Sequence, residues 1–480
     1  MIETWRRRHA HATVLILVES KSLGFDMTIR QGSGHNGTVE KPILLMAALP
    51  IYGHTMPMRA IARALIRLGF SVNFVSSPHY RTAMENIGAT FLPLTGYCAL
   101  SESMLIERFP ERASLVDQQV ANFDAEHLFV RSIPSQYESI QAALQTVKER
   151  EPGKKVVQIV DCGFLGAMAS ILNPSGIKPD AHITMGVLPL AVTSIDTAPF
   201  GPGLPPDSSP AGRARNTALH VANREKLSGL QDLFCELLAS VGAYTNEFLF
   251  DAGVTLPDRY IQMCIPEIEY PRSDLPPNVR YAGGLPRGSR DPSTSFPPFW
   301  NEIMRISKTR EKNIVAVSQG TFATLPSQLL LPTLSALSHK EDVLVIAILG
   351  ARGASLPPEI VIPSNVRVAD FIPYDEILPY CDVFVTNGGY GALQHAIANG
   401  TPLVIAGSTE DKPENAARVQ FAGIGVNLST GSPSAAMLRV AVEKVIKDIS
   451  FKEKVMSMKL STEKLDPIAF IAEQIMECVA

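Results

Sequence analysis

Short apolar, β-branched runs alternate with amphipathic segments along most of this chain, and that alternation sets the expected architecture. Pro42-Ile-Leu-Leu-Met-Ala-Ala48 reads as a buried parallel strand. A turn-rich loop over 50–57 follows, and 58–68 then carries apolar residues at helical spacing until Gly69 stops it. Ser71–Val75 is the second strand, and Val156–Val160 repeats the pattern. Farther on, Ile314–Ser318 opens a second sheet, continued by Val343–Ile348, Asp382–Thr386 and Leu403–Ala406. Strand, loop, helix, strand is the opening of a doubly wound sheet, so the expected class is α/β with two Rossmann-like parallel-sheet domains. Ligands of such sheets sit at the carboxyl ends of the strands.

The divisions follow composition. Residues 1–40 are polar and read as an extension without fixed structure. An N-terminal domain is expected over 41–268 and a linker over 269–290, where prolines cluster beside charges. A C-terminal domain spans 291–455, and a helical segment over 456–480 ends the chain. The stretch 199–210, rich in Pro, Gly and Ser, is a loop long enough to be mobile or to cover a substrate.

Candidate chemistry concentrates at 381–425. The strand ending at Thr386 breaks at Asn387-Gly388-Gly389, where glycines permit positive φ and let a ligand approach bare backbone. Gly391 and Ala392 open a helix that Gly400 closes, and Glu410-Asp411-Lys412 forms a charged loop after the next strand. A glycine turn on a helix N-terminus suits an anion, most naturally phosphate. An ordinary βαβ turn would carry the same glycines. A dinucleotide fingerprint fails, because its third glycine would fall at Gln394, and no Walker motif occurs.

Composition narrows the field. The chain has 480 residues, enough for two or three domains, and a net charge of −4, which leaves no electrostatic footprint for nucleic acid. Six cysteines lie far apart with no C-x-x-C pair, so reduced thiols are expected and no zinc site. The run Val14–Val18 is too short for a signal-peptide core, and no run of about 18 apolar residues suggests a membrane span. No D-x-D and no cluster at metal-ligand spacing occurs, so no metal is expected.

Two residues at expected strand ends could do proton chemistry. His54 lies in the loop after the first strand, and Asp161 follows Val156–Val160. A loop histidine is commonly satisfied by local hydrogen bonds, and an aspartate there could simply cap the segment 164–172. An imidazole near its ordinary pKa, oriented by a carboxylate, is equally a general base at neutral pH.

The stretch 381–425 resembles the donor-binding signature of the GT-B, family 1 (UDP-dependent) glycosyltransferases. Aligned without gaps, its histidine falls on Asn387, its glycines on Gly388 and Gly389, its ribose-binding glutamate on His395, and its sugar-binding aspartate and glutamine on Asp411 and Lys412. Asp370–Leu378 is similar to the family's tryptophan-x-proline-glutamine stretch, with Phe371 as the base-stacking aromatic. Ser318-Gln319-Gly320-Thr321 is similar to the loop that faces the diphosphate with its amides and the hydroxyls of Ser318 and Thr321. The loop holding His54 resembles the segment with the catalytic base, and Asp161 takes the place of the aspartate that holds it.

The resemblance implies a GT-B fold, two lobes facing across a cleft, with the last helix crossing back onto the first domain. It also implies metal-independent, inverting transfer of a hexose, glucose from UDP-glucose being the usual case, to a hydroxyl of a small lipophilic acceptor. The UDP-sugar would be a co-substrate and no cofactor is needed. Family members of animal type carry a signal peptide and an anchor, and without either motif the chain is expected in the cytoplasm. Asn387, His395 and Lys412 depart from the pattern and leave the donor open. Deoxysugar transfer, a non-catalytic helper and a sugar-nucleotide 2-epimerase are the rival readings.

Overall fold

The computed structural model describes residues 40–116, 118–285, 296–320 and 325–480. The expected extension over 1–40 and the end of the expected linker, 286–290, therefore lie almost entirely outside the described residues, as does Thr321. Thirteen strands are described: β1 (Ile43–Ala47), β2 (Ser71–Ser76), β3 (Thr90–Pro93), β4 (Val156–Asp161), β5 (Ala181–Gly186), β6 (Arg259–Gln262), β7 (Val279–Tyr281), β8 (Asn313–Ser318), β9 (Val343–Ile348), β10 (Val366–Ala369), β11 (Val383–Thr386), β12 (Leu403–Ile405) and β13 (Gly425–Asn427). They form two sheets, ordered β3-β2-β1-β4-β5-β6-β7 and β10-β9-β8-β11-β12-β13, with parallel pairing. This is the two-lobed α/β architecture that the alternation predicts. The strands β1, β4, β5 and β9 are buried along their whole length; β1 and β9 read as continuous apolar runs for that reason, whereas β4 and β5 bury Gln158 and His182 as a hydrogen-bonded pair.

Each sheet reverses its winding once, between β1 and β4 in the first lobe and between β8 and β11 in the second. A crevice opens at such a point because the connections leave to opposite faces. Four helices frame the two crevices: α1 (Tyr52–Arg67), α2 (Tyr390–Asn399), α3 (Lys412–Ala422) and α4 (Pro467–Val479). Helix α4 crosses back onto the first lobe, where Ile471, Ile475 and Val479 join the core of Leu44, Ile61 and Ile183. Helix α1 begins at Tyr52, six residues before the expected start, and Pro57 lies inside it. No local cap marks that start. The Tyr52 N–H instead donates to Glu102 at 2.5 Å, a long-range contact that sequence periodicity does not reveal. The first sheet takes in β7, which lies within the stretch read as linker.

The lobes meet over a buried ion cluster. Arg418 on α3 pairs with Glu269 of the first lobe at 3.0 Å and with Glu414 at 2.8 Å, and all three are buried. Burial alone would lower the Arg418 pKa, but Glu269 and Glu414 raise it. Burial would lift Glu269, and Arg418 with Arg272 hold it below the usual carboxylate range. Glu414 also accepts the N–H groups of Gly201 and Gly203 at 2.8 and 2.9 Å. The 199–210 loop is thus tied to the second lobe at these two glycines.

Inside the first sheet, His182 is buried and its Nδ1 accepts from Gln158 Nε2 at 2.9 Å. A proton there would set two donors face to face. Burial pushes His182 down to about 4, opposed only by Asp258. Below its ordinary value of 6.5 the unfolded chain takes up a proton that the folded one refuses until about pH 4. Stability from this group is therefore complete above pH 6.5 and is lost as pH falls between those values. Replacing it, His182→Gln, should remove that dependence, so that the drop in unfolding free energy from pH 7.5 to 5, measured by urea titration, is smaller in the variant by roughly 2 kcal/mol. An unchanged wild-type-to-variant difference at the two pH values would count against it.

Candidate active site

Helix α1 places His54 in its first turn, at the carboxyl end of β1, and β4 ends in Asp161. These are the two strands flanking the first lobe's reversal point. The two residues lie together: His54 Nδ1 is 3.3 Å from Asp161 Oδ1, and both side chains are almost fully buried. The contact is a close approach and not a hydrogen bond, since Nδ1 has no hydrogen-bond partner. Asp161 is itself anchored by the N–H groups of Leu49, at 2.7 Å, and Gly163, at 2.6 Å. Two fixed amide donors hold it as an acceptor facing the imidazole. With Nδ1 directed at the carboxylate, Nε2 is the nitrogen left to take a proton.

A cavity of about 910 Å³ opens in the first lobe, lined by Tyr52, Met56, Arg59, Glu102, Phe109 and Arg112 among others; neither His54 nor Asp161 lines it. Phe129 stands with its ring 6.1 Å from His54. Phe109 and Phe123 pack around His127, whereas Phe164 belongs to the core and Met104 is exposed.

The second lobe presents its own reversal point. At the end of β11 Gly388 adopts φ +86°, and a Cβ there would meet Ile405 at 2.5 Å, so glycine is demanded twice over. Gly389 has φ −61° and serves as the N-cap of α2. A Cβ on Gly389 or Gly391 would meet no atom within 4 Å, so the protein's own packing does not require their smallness. The first intrahelical bond is Leu393 N–H to the Gly389 carbonyl. The amides of Tyr390, Gly391 and Ala392 are thus the free donors of the helix start, at the positive end of its dipole.

Several expected site residues are spent on internal ties. Asn387 donates its amide to the Gln319 carbonyl at 2.5 Å and so closes the β8 loop. Ser318 is fully buried and accepts from the Tyr374 hydroxyl at 3.0 Å. His395 pairs with Asp375 at 2.8 Å, which also accepts from Asn399. A carboxylate therefore lies beside the position where the family pattern has glutamate. Phe371 is half-buried, with the Arg352 guanidinium 4.9 Å from its ring centre. Thr321 lies outside the described residues.

Asp411 stands at the N-cap position of α3 without a capping hydrogen bond and accepts from Asn415 at 2.8 Å. Asn415, fully buried, also donates to the Gly388 carbonyl at 2.8 Å, linking the glycine turn to Asp411. Burial raises the Asp411 carboxyl, against the lowering by Lys412. Lys412 donates to Thr409 and Glu410. Asn415, Asp375 and Arg112 were not singled out by sequence reasoning. Only Asp375 had a signal, its place inside the Asp370–Leu378 stretch.

Loops from the carboxyl ends of the two sheets meet one another. Arg112 reaches Glu410 at 3.3 Å, Gly203 abuts Pro413, and Gln262 donates to the Tyr390 hydroxyl at 2.8 Å. Among the described residues, no group of three or more His, Cys, Asp or Glu could hold a metal ion. All six cysteines are free thiols. Among the described residues no helix is long and apolar enough to cross a membrane.

Two parallel-sheet lobes with facing reversal points, a histidine–carboxylate pair in one and a glycine-led helix start in the other, define the GT-B glycosyltransferase fold. A solved structure of the glycotransferase of kitacinnamycin has the same fold, with a TM-score of 0.65 at 19% identity over 92% of this chain and 100% of that one. Residues 324–475 match the family model described as "Erythromycin biosynthesis protein CIII-like, C-terminal domain". UDP-glycosyltransferase 2 of Phaeomoniella chlamydospora is 38% identical over 92% of this chain and 96% of its own length. UDP-glucosyltransferase 1 of Beauveria bassiana (strain ARSEF 2860) is 35% identical over 91% of this chain and 95% of its own. The chain belongs to the UDP-glycosyltransferase family, and it is a glycosyltransferase.

Gly163 tests how tightly the pair is held. A Cβ there would meet Leu49 Cδ1 at 2.3 Å and His54 Cε1 at 3.2 Å. Gly163→Ala should therefore displace the imidazole and lower kcat by about tenfold to a hundredfold, with donor KM little changed. Steady-state kinetics with the donor varied checks this, and a variant with unchanged kcat would contradict it.

Proposed function

We propose that the protein transfers glucose from UDP-glucose to a hydroxyl of a small lipophilic acceptor, with inversion at the anomeric carbon and without a metal ion. The observation that carries the reading is the His54–Asp161 pair, buried at one reversal point while Asp411 and the start of α2 occupy the other. His54 Nε2 takes the proton of the acceptor hydroxyl as its oxygen attacks the anomeric carbon on the face opposite UDP. Asp161 stabilises the imidazolium as it forms. The leaving diphosphate gathers charge against the amides of Tyr390, Gly391 and Ala392, donors already in place before reaction. The absence of D-x-D from the sequence supports a role for these amides in place of a cation.

Phe371 offers a ring face to the uracil, with Arg352 beside it. Asp411 binds sugar hydroxyls, held by Asn415. The acceptor enters the cavity of the first lobe, whose Met56, Ile106, Phe109, Pro110 and Ala113 suit an apolar body. The name of the Beauveria relative supports glucose as the sugar. A second reading, transfer of a deoxysugar from a dTDP donor, is favoured by His395 standing in the ribose glutamate's place and engaged with Asp375.

His54→Ala should lower transfer by about 10²- to 10⁴-fold, while calorimetry shows UDP-glucose binding little altered. Retained turnover would remove His54 from the mechanism. Offering UDP-glucose and dTDP-rhamnose together with a panel of hydroxylated aglycones, and weighing the product, decides between the two donors.

A further inference from the structure

The sugar-side loop carries an ammonium that the family pattern lacks, and its surroundings say what that ammonium is for. Lys412 is buried, and its stem is confined at Gly407, where a Cβ would meet Asn387 O at 2.0 Å and Lys412 Cδ at 2.8 Å. Its Nζ lies 3.1 Å from Thr409 Oγ1 and donates to the Glu410 carboxylate. Glu410 has φ +56°, a left-handed backbone uncommon for a residue with a side chain. That geometry accompanies a carboxylate bound on both sides, by Lys412 and by Arg112 of the opposite lobe. Arg112 is held in turn by Asp124, which it grips with two bonds of 2.7 Å. Burial would raise the Glu410 carboxyl, and Lys412 and Arg112 hold it below its ordinary range, so it stays ionised at neutral pH.

A lysine next to a sugar-binding aspartate is by itself a ready partner for the C6 carboxylate of a uronic acid. Here Asp124 and Glu410 match Arg112 and Lys412 charge for charge, with the Asp411 carboxyl beside them. A uronate would add a further negative charge in a largely buried loop.

We infer that Glu410 is a specificity-determining residue that selects a neutral donor sugar, by neutralising the Lys412 ammonium and denying an acidic sugar its counter-charge. The inference rests on the proposed placing of the donor sugar at Asp411. Arg112 lines the acceptor-side cavity as well as fixing Glu410, so the wall of that cavity and the sugar loop form one charge network.

The experiment measures, by calorimetry without acceptor, the Kd of UDP-glucose and of UDP-glucuronic acid for the wild type, Glu410→Gln and Lys412→Gln. Glu410→Gln should improve UDP-glucuronic acid relative to UDP-glucose by about tenfold, the worth of one charge-assisted hydrogen bond. Lys412→Gln should move the ratio the other way, and it serves as the probe if the first variant does not fold. Ratios unchanged within about twofold (a fraction of that energy) in the folded variants would overturn the inference. Glucoside formation is assayed separately. UDP-glucose that binds without any transfer would sink the proposed function and leave the ratio to judge Glu410, whereas no binding of either sugar nucleotide would sink both.

Discussion

A guanidinium with almost no access to water holds the relation between the two lobes. Arg418 sits among Glu269 of the first lobe, Glu414 of its own helix and the ring of Tyr270. Desolvating such a cluster is costly, and it persists only because each charge has an opposite partner; removing one partner from a buried pair typically costs about 3–5 kcal/mol. Its value lies in position. Helix α3 begins one residue after Asp411, so whatever fixes α3 against the first lobe also fixes the loop of Glu410 and Asp411 against that lobe. Glu414 extends the tie to the backbone of Gly201 and Gly203, and a Cβ at Gly203 would collide with Pro413.

From that anchorage the chemistry follows by topology. Each sheet reverses its winding once, and each reversal leaves strand ends without a covering connection. The first supplies a fixed acceptor–imidazole pair, the second a row of free amides at a helix start. A proton acceptor and an anion site are what transfer from a sugar diphosphate to a hydroxyl needs. Neither lobe alone has both, so the proposed reaction needs the two lobes together.

The departures from the family pattern form a system of internal ties. Asn387 closes the β8 loop, His395 is held by Asp375, and Lys412 by Glu410. Each would have been assigned to ligand by spacing alone. In the structure each is already bonded within the protein.

What the chain's linear order determined was the class of fold, seven of the thirteen described strands and residues at the carboxyl ends of some of them. Buried parallel strands are mostly apolar, and a turn that needs positive φ favours glycine, so both leave a mark readable residue by residue. His54, Asp161, Gly388 and Asp411 were legible in that way, with the family resemblance supplying their roles. The start of α1 was not, because its donor is satisfied by Glu102, fifty positions downstream. Nor were Asn415, Arg112 or the Arg418 cluster, whose importance lies in partners distant in sequence, some on the opposite lobe. Strand order, and with it the crevices, was decided only in three dimensions, because periodicity reports which face of an element is buried and carries no information about the neighbour that buries it.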